Sequence, residues 1–226
     1  MKTILCIGAH PDDVEMGMGG TVALLVDQGY DVLILDLTNG EPTPYGSPEI
    51  RKKESEEAAK VLGVKRVTLD LPNRYLEDTI ENRKKIAAII RDFRPKYIFA
   101  PYFDDAHPDH IAASKLVDAA RFYAKLTKSD IPGEPFFPKR IIYYFPIHIR
   151  LRINPSFLID ISKYLEKKKE AIYCYKSQFI LSKKENIIEN LLIENKYWGI
   201  QVHTEAAEPF FQKEIPLFYN WPLGYK

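Results

Sequence analysis

The chain is poor in cysteine, has no excess of either charge and contains no long apolar run. Its 226 residues include two cysteines, Cys6 and Cys174, which lie far apart and outside any CxxC spacing. That argues against a thiolate metal site, a redox motif or a disulfide framework, and for two buried apolar thiols in a reducing compartment. The 32 basic residues are offset by 31 acidic ones, so no field of one sign is available to attract nucleic acid or an anionic membrane. No stretch reaches the roughly 18 apolar residues of a spanning helix. The run Ile4 to Ala9 is shorter than a signal-peptide core and leads straight into the charged His10 to Asp13. These absences predict a soluble, cytoplasmic protein without nucleic-acid or membrane partners. Internal repeats and low-complexity linkers are lacking too, so residues 1–226 are expected to form one domain.

Apolar residues make up 46% of the chain, enough to fill a core. Five short, nearly unbroken apolar segments read as strands buried on both faces: Thr3 to Gly8, Val32 to Leu37, Arg66 to Leu71, Tyr97 to Ala100 and Arg140 to Phe145. Helical patterns alternate with most of them: Gly20 to Gln28, Glu49 to Leu62, which Gly63 stops, and Ile80 to Phe93, which Pro95 ends. Strand and helix alternating at these lengths predict right-handed βαβ units and a Rossmann-like three-layer α/β/α sandwich with a mostly parallel sheet. Ile131 to Pro138 reads as a loop, Ile159 to Phe179 as one long helix and Glu185 to Trp198 as another. The aromatic tail with Phe210, Phe211, Tyr219 and Trp221 is expected to pack on its own chain rather than on a neighbour.

Histidine is also sparse, with five in the chain, yet three of the five fall in two acidic clusters, His10-Pro11-Asp12-Asp13 and His107-Pro108-Asp109-His110. Each cluster follows a predicted strand. In an open α/β sheet, ligands bind beyond the carboxyl ends of the strands, so the two clusters can meet at one edge, and His148 is a candidate to join them. Consecutive Asp side chains point in different directions, so one carboxylate can bind a metal while the other handles protons. His10, Asp13 and His110 form a His/Asp/His set with an open position, as expected of catalytic zinc, and Asp12 fits the general base. His107 can donate to an oxyanion or protonate a leaving amine, with Asp109 to orient it. The competing reading is a pair of capped turns in which Asp12 or Asp109 merely opens a helix. A nucleotide-binding module is disfavoured: Gly17-Met18-Gly19-Gly20 is not GxGxxG, and Asp12, Asp13 and Glu15 would repel a pyrophosphate. A metal-binding protein without catalysis predicts bound zinc but no hydrolysis that depends on Asp12.

The runs AHPDDVEMGMGGT, DLTNGE, EIRKKESEEAAK and APYFDDAHPDH closely resemble the PIG-L-like (LmbE-like) N-acetylglucosaminyl deacetylases, and the likeness extends through FLIDISKYLEKKKEAIYCYKSQF to the late AEPFF. Within that family the chain looks most like bacterial enzymes of bacillithiol biosynthesis, which deacetylate N-acetylglucosaminyl malate; deacetylation of a chitooligosaccharide is the alternative. The resemblance implies zinc, or another divalent ion such as Fe2+, on His10, Asp13 and His110. It also implies Asp12 as base, and His107 with its partner Asp109 at the oxyanion or amine. It places Arg51 near the metal, where it would engage substrate. For the two carboxylates of a malate glycoside, Arg51, Arg74 and Arg150 are the candidate partners in that order. Glu208 and His203 are weaker candidates for the pocket wall. Mycothiol-pathway members carry a tyrosine where this chain has Asp105, and some bacillithiol-type relatives carry one where it has Ala206. Relatives are often homo-oligomers, frequently hexamers, and a homo-oligomer is expected here.

Overall fold

The computed structural model describes residues 2–145 and 154–215. The elements run β1 (Thr3–Gly8), α1 (Asp13–Asp27), β2 (Asp31–Thr38), α2 (Pro48–Leu62), β3 (Lys65–Leu71), α3 (Ile80–Phe93), β4 (Tyr97–Pro101), α4 (Pro108–Ala124), β5 (Arg140–Tyr144), β6 (Phe157–Asp160), a 3-10 turn (Ser162–Tyr164), α5 (Leu165–Tyr173), α6 (Lys176–Phe179), α7 (Glu185–Gln201) and β7 (Ala207–Phe211). They build a seven-stranded sheet in the order β3-β2-β1-β4-β5-β7-β6. The first five strands in that order are parallel, and β7 runs against β5 and β6.

Strand side chains alternate between faces, and here both faces are covered. In β1, Leu5 and Ile7 join Ile86, Ile90, Leu116 and Val117 of α3 and α4 on one side. Ile4 and Cys6 join Val14, Met18, Leu62 and Ala171 of α1, α2 and α5 on the other. This is the expected three-layer α/β/α sandwich.

Chain order reverses around β1, which pairs with β2 on one side and β4 on the other. That is the topological switch point of an open parallel sheet, where a crevice opens above the strand ends. His10 to Asp13 leave β1 there, and Asp105 to His110 leave β4.

Several elements differ from the sequence expectation. Strand β3 lies at the sheet edge, with Val67 43% exposed, so it is not buried on both faces. Strands β6 and β7 and the helix α4 (Pro108–Ala124) are additional to the elements expected from sequence. The stretch expected as one helix from Ile159 to Phe179 is instead β6, a turn and two short helices. Asp160 accepts the Ser162 N–H at 2.9 Å and its hydroxyl at 2.6 Å, which closes the turn after β6. Tyr175 breaks the helix further on, because its fully buried side chain is drawn inward to Glu15.

Helix α1 starts at Asp13, earlier than Gly20, and bends at Met18 (φ −151°, ψ 24°). Its glycines serve close packing: a Cβ on Gly17 would meet the Tyr144 ring at 2.3 Å, and one on Gly20 would meet Ile161 at 2.7 Å. Of the two cysteines, Cys6 is buried and Cys174 only half-buried. Phe210 is fully buried within its own chain. Tyr219, Trp221, His148 and Arg150 lie outside the described residues. Among the described residues no helix is long and apolar enough to cross a membrane.

Candidate active site

The first cluster is shaped by the turn from β1 into α1. Asp12 sits at φ 111°, a left-handed conformation unusual for a residue with a side chain and costing of order 1–3 kcal/mol. The turn lets Asp13 fold back, so that its Oδ2 accepts the His10 N–H at 2.8 Å. The second cluster opens α4: Pro108 occupies the first helical position, and His107 caps it by accepting the Asp109 N–H on Nδ1 at 3.2 Å. His110 therefore lies in the first turn of α4, 3% exposed, facing the β1 turn.

The clusters meet across the β1–β4 crevice. Asp13 stands between two imidazoles, its Oδ1 3.2 Å from His110 Nε2 and its Oδ2 3.4 Å from His10 Nδ1. The ligand-type atoms of His10, Asp13 and His110 all lie within 4.8 Å of one another. Each histidine has a carboxylate behind it: Asp105 Oδ2 bonds His110 Nδ1, and Asp109 Oδ2 lies 3.1 Å from His10 Nε2. A carboxylate on the far nitrogen fixes the tautomer and leaves the near nitrogen's lone pair directed at the centre, the usual support for a metal-binding histidine.

The electrostatics favour a cation in the same place. Burial alone would lower the pKa of His10, but Asp13 and then Asp109 push it up to about 9. Burial works against His110 too, and Asp13 with Asp105 pushes it up to about 10. Asp13, which burial would raise, is held well below the usual carboxylate range by His110 and His10. Two imidazoles that hold protons this tightly around one ionised carboxylate mark a site that calls for positive charge. Two nitrogens and an oxygen are a donor set that accepts zinc or iron, and a divalent ion would take the place of the protons.

Asp12 stands apart from this set. Its Oδ2 lies 3.4 Å from both Nη1 and Nη2 of Arg51. Burial raises the Asp12 pKa to about 6, with Arg51 opposing and Asp13 adding to the rise. Arg51 is 2% exposed, donates to the Pro11 carbonyl, lies 3.7 Å from Glu41 Oε1 and stacks 5.3 Å over the Tyr175 ring. Beneath it, Arg66 holds Asp36 at 2.6 Å and Glu15 at 2.5 Å, and Glu15 also accepts the Tyr175 hydroxyl at 2.9 Å.

The remaining sequence candidates divide. The Asp109 carboxylate is engaged by His10 and by the Arg74 and Leu76 N–H groups at 2.7 and 3.3 Å. It also lies within 4.8 Å of a His107 ring nitrogen, so it stands near both histidines. The three histidine rings cluster with centroids 4.7 to 5.3 Å apart. The Arg74 guanidinium donates to the Pro42 carbonyl at 2.6 Å. His203 is exposed at the end of α7.

Glu208 requires a correction. It is fully buried, 2.6 Å from Lys168 Nζ, and accepts the Gly20 and Thr21 N–H groups at 3.1 and 2.7 Å. Its carboxylate caps α1 beyond the bend at Met18, and is not part of a pocket wall. The supporting residues Asp105, Glu15, Asp36, Arg66 and Tyr175 were not singled out from sequence as members of the site. Asp36 carried a usable signal, a lone charge inside the apolar run VLILDLT, which must find a buried partner.

Above the centre lies a cavity of about 160 Å³ onto which Asp12, Asp13 and His110 open, walled by Met16, Phe145, Phe179 and Ile187. The sequence profile of the PIG-L family, described as GlcNAc-PI de-N-acetylase, matches residues 5–121, more than half of the chain. The chain belongs to the PIG-L family. It is 34% identical to the diacetylchitobiose deacetylase of Thermococcus kodakarensis over 79% of its own length and 71% of that protein's. A probable N-acetyl-alpha-D-glucosaminyl L-malate deacetylase 2 of Bacillus cereus is 32% identical, covering 97% of this chain and 99% of the relative. Among solved structures, a conserved protein of Thermus thermophilus superposes with a TM-score of 0.91 at 38% identity, covering 99% of this chain and 100% of the other. As a PIG-L member the chain is a deacetylase, an enzyme that cleaves an amide.

Proposed function

We propose that this enzyme is a zinc-dependent deacetylase of an N-acetylglucosaminyl small molecule, with N-acetyl-α-D-glucosaminyl L-malate, the bacillithiol precursor, as its substrate. The observation that carries the reaction is the division of the adjacent carboxylates: Asp13 faces His10 and His110, while Asp12 faces Arg51 and the cavity. His10, Asp13 and His110 would hold the zinc ion, which when bound would supply Lewis acidity toward the acetamide carbonyl and acidify water.

The chain's own residues do the rest. Asp12 removes a proton from the attacking water, for which a carboxylate raised toward neutrality and steadied by Arg51 is suited. Because His107 Nδ1 accepts the Asp109 N–H, its neutral ring carries the proton on Nε2. That N–H donates to the carbonyl oxygen as it becomes an oxyanion. The proton taken by Asp12 returns to the nitrogen as the C–N bond breaks, giving acetate and a free amine. Arg51 acts through Asp12 and the Pro11 carbonyl, and so positions the base.

The malate conjugate is favoured by the full-length match to the Bacillus cereus relative. A chitooligosaccharide is the second reading, favoured by the similarity to the diacetylchitobiose deacetylase. We place the enzyme in the cytoplasm as a homo-oligomer, up to a hexamer, acting without nucleic-acid or membrane partners. The test is acetate release from N-acetylglucosaminyl malate, N,N′-diacetylchitobiose and free N-acetylglucosamine, with zinc content measured alongside. Equal rates on all three would remove the malate assignment, and full activity after exhaustive metal removal would remove the metal.

A further inference from the structure

The cavity is lined by groups of different chemistry. Asp12, Asp13 and His110 line it, and so does Lys184, from the turn between α6 and α7. Among the described residues Lys184 is the one cation lining this cavity.

Among the described residues, the other cations close to the site are already engaged. Arg51 is bound to Pro11 and Asp12, Arg66 to Asp36 and Glu15, and Lys168 to Glu208. The Arg74 guanidinium is bound to the Pro42 carbonyl. Lys184 makes no ion pair among the described residues, and its side chain is exposed.

Its position is not explained by the helix that it opens. Lys184 is the N-cap of α7 and makes no capping hydrogen bond with its side chain. Ser, Thr, Asp or Asn would stabilise that position, and a cation is disfavoured beside the positive end of the helix dipole. The backbone nevertheless holds the residue at the cavity: its N–H donates to the Phe179 carbonyl at 2.7 Å, and Phe179 is itself part of the wall. Much of the remaining wall is apolar, through Met16, Phe145, Phe179 and Ile187, beside Gln178. An ion pair formed against such a wall is screened less than one in open solvent.

We infer that Lys184 is a specificity-determining residue that binds a carboxylate on the aglycone of the substrate, so that the cavity selects anionic N-acetylglucosaminides over neutral chitooligosaccharides. The inference rests on the deacetylase reading above. It assigns to Lys184 the carboxylate recognition that sequence alone suggested for Arg51, Arg74 and Arg150.

The experiment compares kcat and KM for N-acetylglucosaminyl malate and N,N′-diacetylchitobiose in the zinc-loaded wild type, Lys184→Ala, Lys184→Glu, Lys184→Arg and Lys183→Ala. Lys183 is the control, since it carries the same charge next door but does not line the cavity. Lys184→Ala should raise KM for the malate conjugate about tenfold, the size of one charge-assisted contact. It should leave kcat, zinc content and diacetylchitobiose kinetics within twofold of wild type. Lys184→Glu should raise that KM further, Lys184→Arg should restore most of it, and Lys183→Ala should change little. Added salt should raise KM for the malate conjugate in the wild type and have less effect in Lys184→Ala.

Equal effects of Lys184→Ala on both substrates, or none on either, would overturn the assignment while leaving the deacetylase reading intact. So would a wild type that prefers diacetylchitobiose, or selectivity that survives in Lys184→Ala but vanishes in Arg150→Ala. Release of acetate from neither substrate would remove the deacetylase reading, and this inference with it.

Discussion

Replacing Glu208 by alanine separates the interior role found for it from the pocket-wall role suggested by sequence. In the wild type its carboxylate receives Lys168 Nζ at 2.6 Å and the Thr21 and Gly20 N–H groups at 2.7 and 3.1 Å, and both ion-pair partners are 0% exposed. The alanine variant leaves a buried ammonium without its counter-charge, which costs about 3–5 kcal/mol. It also strips two backbone donors of their acceptor at the bend in α1, at about 1–3 kcal/mol for each group that water cannot reach. Against a typical total stability of about 5–15 kcal/mol, the variant should stand near the edge of folding. Urea unfolding followed by circular dichroism should show a midpoint lower by more than about 1 M.

Lys168→Met should be milder, since Glu208 then keeps its two amide donors. The double variant Lys168→Met with Glu208→Gln should cost less than the two single changes added together, because no lone buried charge is left. In whatever fraction of Glu208→Ala folds, KM should match the wild type. A stability loss below about 1 kcal/mol, or an altered KM in a variant of normal stability, would refute this reasoning and return Glu208 to the substrate pocket.

Asp12→Asn should retain zinc while kcat falls about 10²–10⁴-fold, the usual worth of a general base; metal analysis beside the rate assay checks both halves. His10→Ala should lose zinc and activity together. Asp105→Ala removes the carboxylate behind His110, and competition with a chelator should show zinc affinity weakened about 10–100-fold. In metal-free protein, His10 and His110 carry pKa values of about 9 and about 10, above the ordinary 6.5. Their protonation therefore stabilises the fold fully below pH 6.5, and this contribution is lost as pH rises through 9 and 10. The Tm of the stripped protein should fall across that window, and zinc binding near pH 8 should release protons, which calorimetry in buffers of different ionisation enthalpy will count.

The parallel core and the meeting of the two clusters were legible because their signals are local. β-branched runs end in His-Pro-Asp, and Gly63 and Pro95 punctuate the helices. The support around the site was less visible, since it depends on contacts between residues far apart in the chain. Asp105 stands five residues from His110, yet nothing in FDDAHPDH says which of its aspartates turns back to the ring. Asp109 reads as a partner for His107, but it also reaches His10, 99 residues away, through a crevice that exists only once β1 and β4 are paired. The stretch from Ile159 to Phe179 has helical spacing at Leu165, Lys168, Ala171 and Ile172, which hides the interruptions that Asp160 and Tyr175 impose through tertiary contacts. Glu208 looked like a pocket residue because it sits in a motif of functional relatives; its work lies inside the protein.

The register between β1 and β4, Ile4 with Tyr97, Leu5 with Ile98 and Cys6 with Phe99, acts as a ruler for the chemistry above it. A slip of one residue would carry one cluster about 3.3 Å past the other, far beyond what a metal–ligand bond of about 2.0–2.2 Å tolerates. The calibration of the site is thus stored in main-chain hydrogen bonds, which do not depend on the identity of the side chains they join. Ile4, Cys6, Ile98 and Phe99 should accordingly accept apolar residues of similar volume without moving the candidate ligand atoms of His10, Asp13 and His110. Faults in that ladder, rather than in the loops that bear the histidines, are where the enzyme's geometry is most exposed to damage.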